Sequence, residues 1–71
     1  MPKYCIEKFE SGVQEKRVYW DCTKHRHDAN MISTIAQRLG NAYGGTWSVR
    51  ANSYQSNQSK VPDSAVALDD L

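Results

Sequence analysis

DANMISTIAQRLGNAY, residues 28–43, is the stretch on which the fold turns. Ile32, Ile35, Ala36, Leu39 and Tyr43 stand at i, i+3, i+4, i+7 and i+11, the period of one helix face. No other part of the chain has so clear a phase. Asp28 supplies an N-cap, a carboxylate able to accept from the free N–H groups of the first turn. The helix has two candidate ends, Leu39 with Gly40 as its cap, or Tyr43 with Gly44-Gly45 beyond it. The longer helix is favoured because Tyr43 keeps the apolar phase, although an internal glycine costs ~1 kcal/mol.

The helix face needs partners, and short β-type runs flank it. Tyr4 to Phe9 alternates, Ser11-Gly12 offers turn chemistry, and Lys16 to Thr23 is rich in Val, Tyr and Trp. Two such runs around a short glycine-containing connection predict a hairpin. Val18, Trp20 and Cys22 share one side of the second run and make its better core face. Matching them with Tyr4 and Ile6 places Cys5 on the opposite face from Cys22, which excludes a disulfide between the two. After the helix, Trp47, Val49 and Ala51 alternate with Ser48, Arg50 and Asn52, predicting a third strand over 46–54. The expected class is α+β in the order β-β-α-β. The expected sheet is three-stranded and antiparallel, in the order 2-1-3, with one helix packed on one face.

Seventy-one residues make one domain at most. A chain of this size buries only about 60% of its unfolded surface, and its core yields roughly 3–5 kcal/mol. An enclosed catalytic cavity removes packing that such a fold needs, which favours a binding surface over an active site. Residues 1–54 are expected to form the domain. Residues 55–71 begin with the polar QSNQSK, contain Pro62 and end in an acidic stretch; they are expected to be a flexible tail. Nine Lys and Arg stand against five acids up to residue 60, and three Asp with no cation follow. This mildly basic body is compatible with an anionic partner without demanding one.

No apolar run approaches ~18 residues, so no transmembrane helix and no membrane partner are expected. MPKYCIEKFE lacks the apolar stretch of a secretory signal. The expected location is cytoplasmic, with Cys5 and Cys22 reduced.

Cys22, His25 and His27 form the most metal-like cluster, followed by Asp28. Their spacing matches no common zinc framework, so no metal and no cofactor are assigned. No nucleophile elbow, paired-carboxylate motif or phosphate loop is present, and enzyme activity is not expected. With Val18 and Trp20 turned to the helix, the other sheet face would present Phe9, Arg17, Tyr19, Arg50 and Tyr54. Tyr and Arg anchor protein interfaces, which predicts a non-enzymatic module that binds a protein partner through these five residues. The alternative is a nucleic-acid-binding regulator. It would use the same aromatic and basic face for single strands, or the polar helix face around Arg38 for duplex. No family motif is present. In its small size, odd connector and acidic end the chain resembles many small proteins of phages and mobile elements, and that resemblance implies an inhibitor or regulator of a larger host or defence complex.

Overall fold

A computed structural model describes residues 3–71. The protein is α+β, with one helix and a mixed sheet of five strands. Met1 and Pro2 of the expected 1–54 unit lie outside the described residues.

The hairpin pairs β1 (Tyr4–Ser11) with β2 (Gln14–Asp21). Its turn is two residues long, and Gly12 takes the positive φ of 62° that such a turn requires. The turn length sets the register. Ser11 faces Gln14, so Cys5 faces Trp20, Glu7 faces Val18 and Phe9 faces Lys16. Residues directly opposite in an antiparallel pair share a face. The core side of β1 is therefore Cys5, Glu7 and Phe9, and the expected inward pair Tyr4 and Ile6 lies on the other side. This overturns the predicted parity of β1. That of β2 stands, with Val18 and Trp20 buried.

The same register overturns the exclusion of a disulfide. Cys22 lies two residues beyond Trp20, on Trp20's side of the sheet, and its N–H extends the ladder by bonding Lys3 O at 3.1 Å. Its Cα is 5.5 Å from that of Cys5, and the two sulfurs are bonded. Disulfides persist in oxidising surroundings and are rare in the cytosol. The cytoplasmic expectation thus loses its premise of reduced cysteines.

The helix α1 spans Ala29–Tyr43, the longer of the two readings. The Asp28 carboxylate accepts from Met31 N at 2.8 Å, and the chain ends the helix at Gly44, whose N–H bonds Gly40 O at 2.8 Å. Gly45 follows with φ of 85°, and a Cβ there would stand 2.7 Å from Ser11 Oγ. Only glycine passes the end of the hairpin this closely. Ile35 and Leu39 are fully buried and pack with Phe9, Val18, Trp20 and Trp47. Each such side chain stabilises the fold by ~1.5–3 kcal/mol relative to exposure. Both indoles satisfy their N–H: Trp20 donates to His25 O at 3.2 Å and Trp47 to Gly44 O at 2.8 Å.

The predicted third strand is broken in two. Only β3 (Ser48–Val49) pairs with the far half of β1, opposite Phe9 and Glu10. The chain then leaves the ladder in a turn, with Asn52 at a φ of 63°, a conformation Asn tolerates better than most residues. It rejoins as β4 (Gln55–Gln58) beside Tyr4 and Ile6. Between the two, the Ser53 hydroxyl accepts from Lys8 N at 3.2 Å and donates to Arg50 O at 2.8 Å. A side chain thus does the work of the missing ladder partner.

Residues 55–71 contribute to the sheet. Besides β4 they form β5 (Val66–Ala67), which runs parallel to β2 at Val18 and Tyr19, and a 3-10 turn over Leu68–Asp70. Leu68 is 4% exposed and belongs to the core. The sheet order is β3-β1-β2-β5, with β4 sharing the β3 edge of β1, in place of three antiparallel strands. No helix among the described residues is long and apolar enough to cross a membrane.

Candidate functional site

The inverted parity of β1 redistributes the five residues predicted to bind a partner. Phe9 is wholly buried on the helix side of the sheet. Arg17 and Tyr19 stand on the sheet face away from the helix. Tyr19 is half-buried, edge-on against Tyr4 with ring centres 5.6 Å apart. Arg50 is exposed, and its guanidinium meets Glu10 at 3.1 Å. Tyr54 is partly exposed, but its ring stacks on His27 at 3.6 Å and its hydroxyl lies 3.0 Å from Cys5 Sγ. The predicted set is therefore divided between two places.

The first is a depression of about 370 Å³ on the outer face. Ile6 is among its lining residues and is only 3% exposed, although it belongs to no part of the helix-side core. Lys8, Arg17 and Arg50 stand around it, with Asn52, Ser53 and Gln55 on the broken-strand side. No carboxylate lines it. Lys8 reaches out to Glu15 at 2.8 Å and Arg50 to Glu10, whereas Arg17 has no ion-pair partner among the described residues. The Lys8 ammonium holds Glu15 below the ordinary carboxyl range. Lys8 was missed in the sequence because β1 was turned over; the two-residue turn sets it opposite Arg17. Chemically the depression offers three cations and several amide and hydroxyl groups, a cradle for carboxylate or phosphate oxygens.

The second place is the helix side of β1. Glu7 stands on the Cys5 and Phe9 side of β1, which alternation alone would turn to solvent. Instead its side chain is 6% exposed and accepts from His27 Nε2 at 2.8 Å. His27 stacks on Tyr54 with ring centres 3.6 Å apart, and Trp20 stands 6.3 Å from the one and 6.4 Å from the other, nearly parallel to both. Of the metal-like trio, Cys22 is spent in the disulfide, His27 faces Glu7, and His25 contributes its carbonyl to Trp20. Among the described residues no three His, Cys, Asp or Glu side chains gather as a metal site.

Burial pushes the Glu7 carboxyl above its ordinary 4.5, and the hydrogen bond and charge of His27 offset part of that rise. A carboxyl raised by folding binds its proton more tightly in the folded chain. Its contribution is complete below the unfolded value and is lost as pH rises through the folded one. The melting temperature of the wild type, relative to that of Glu7→Gln, should therefore fall as pH is raised from about 4 through the carboxyl range. A difference that is flat or rises with pH would remove this account of Glu7.

Compared with protein-family models, with curated proteins and with solved structures, the chain finds no match in any of the three.

Proposed function

We propose that the protein is a non-enzymatic interaction module that seats acidic side chains of a protein partner in the outer-face depression, and that it regulates or inhibits a larger complex by occupying its surface. The observation that carries this reading is the grouping of Lys8, Arg17 and Arg50 around one hollow that no carboxylate lines. The ion pairs of Lys8 and Arg50 are surface pairs of the kind worth ~0–1 kcal/mol, so a partner's carboxylates exchange for them at little cost. Attraction between these cations and a partner's carboxylates raises the association rate and gives the contact a strong dependence on salt. The buried position of Glu7 supports the non-enzymatic part, since little of its carboxylate is open to a substrate.

Nucleic acid ranks second. The same cations suit phosphate, but the rings that single-strand stacking needs are buried or already packed against other rings. Phe9 is in the core, Tyr54 lies on His27 and Tyr19 is edge-on to Tyr4.

Titration with a glutamate-rich peptide and with an oligonucleotide of equal charge tests the reading. The peptide should bind the more tightly, and Arg17→Ala with Arg50→Ala should weaken it at least tenfold, since a charge-assisted hydrogen bond contributes about 1.5–3 kcal/mol. The circular dichroism of the double variant should match the wild type. Tighter binding of the oligonucleotide would replace the protein partner by nucleic acid. Peptide binding that ignores both substitutions would remove the depression as the site.

A further inference from the structure

We propose that the Cys5–Cys22 disulfide is a site of thiol exchange with a small thiol of the glutathione class, and that the exchange has one direction: the thiol attacks Cys22, and Cys5 leaves. This goes beyond the binding role and does not depend on it.

Access distinguishes the two sulfurs. Cys5 is 3% exposed and lies in the core cluster with Phe9 and Trp20. Cys22 is only partly buried and stands at the end of β2, where the exposed connector 23–28 begins. An incoming thiolate therefore meets Cys22 first. The leaving side is distinguished as well. The bonded Cys5 sulfur has no hydrogen, so the Tyr54 hydroxyl, 3.0 Å away, donates to it. When Cys5 departs as a thiolate this becomes a charge-assisted hydrogen bond, roughly twice as strong as a neutral one. A thiolate stabilised by a hydrogen-bond donor is the better leaving group in exchange. The Tyr54 ring is fixed for this by its stacks on His27 and Trp20. Glu7 lies two residues along the same face, and His27 is paired with its carboxylate.

In the first step the small thiol, having lost its proton to solvent, attacks Cys22 Sγ. A bond forms between the two sulfurs, the Cys5–Cys22 bond breaks, and its electron pair stays on Cys5 Sγ. In the second step another small thiolate attacks the small-molecule sulfur of the mixed disulfide. Cys22 is released as a thiolate that takes a proton from solvent, and the small disulfide carries away the oxidation. Two small thiols are oxidised for one protein disulfide reduced.

The first step leaves a distinct trace. Protein treated with excess reduced glutathione, quenched early with N-ethylmaleimide and digested with trypsin yields Cys5 in peptide 4–8 and Cys22 in peptide 18–24. Glutathione should be found on 18–24 and maleimide on 4–8 in excess of the reverse by about tenfold or more. Tyr54→Phe should slow the first step several-fold with an unchanged circular dichroism spectrum. Glutathione on both peptides equally, or mainly on 4–8, overturns the proposal. So does a disulfide that glutathione leaves intact, or a Tyr54→Phe rate equal to that of the wild type.

Discussion

Phe9→Ala should cost about 3–5 kcal/mol and leave much of the chain unfolded at room temperature. The core of a domain this small supplies roughly that amount in total. The position of Phe9 sets this cost. Phe9 is fully buried, faces the helix side and packs among Val18, Ile35 and Leu39. Truncating it leaves a hole that neighbours on β2 and the helix cannot all move to fill. Had Phe9 stood on the open face, as alternation along Tyr4–Phe9 first implies, the same change would lie within about 0.5 kcal/mol of neutral. Urea unfolding separates the two outcomes. A midpoint unchanged from wild type would restore the original parity and undo the register described here.

Replacing Cys5 and Cys22 together by serine should cost about 3 kcal/mol. Closing a loop of this length removes that much conformational freedom from the unfolded chain. The bridge joins residues separated by 17 positions, across the mouth of the hairpin. At roughly 4–8 °C per kcal/mol for a domain of this size, the melting temperature should fall by about 12–24 °C. Reductant added to the wild type should produce the same fall. A melting temperature that reductant leaves unmoved would mean that the two thiols are not joined. The result also bears on how so small a core holds together, since chains of this length commonly add a covalent tie.

The helix was legible because its information is local. A 3.6-residue phase, an Asp at the start and glycines at the end all lie within residues 28–45, and the chain follows them. The hairpin was legible for the same reason. Its register was legible too, although alternation alone misreads it. Tyr4 to Phe9 carries apolar groups on both faces, with Ile6 on one and Cys5 and Phe9 on the other, so apolarity does not choose between them. Turn length does. A two-residue loop at Gly12-Val13 pairs odd positions of β1 with even positions of β2, and with Trp20 inward Cys5 must be inward also.

From that one constraint follow the disulfide, the burial of Phe9, the approach of Glu7 to His27 and the place of Lys8 beside Arg17. Three of the predicted contacts, Arg17, Arg50 and Tyr54, line the depression, where they join the overlooked Lys8. The C-terminal segment was not legible. β4 reads QSNQ, with no apolar phase at all, and is held by backbone pairing to β1. Leu68 sits in a stretch too short to show a period, and its burial depends on Trp20 and Val18, nearly fifty residues away.

The parallel strand β5 has a consequence for how the chain acquires its shape during synthesis. The hairpin and the helix are assembled from neighbours in sequence and emerge early. The edge of β2 stays open, and the layer under Trp20 lacks Leu68, until residues 66–68 have left the ribosome. For that interval the nascent chain presents an uncapped strand beside exposed indole, the combination most prone to pair with another copy. A released fragment of residues 1–60 should therefore bind holding chaperones, and residues 1–71 should not.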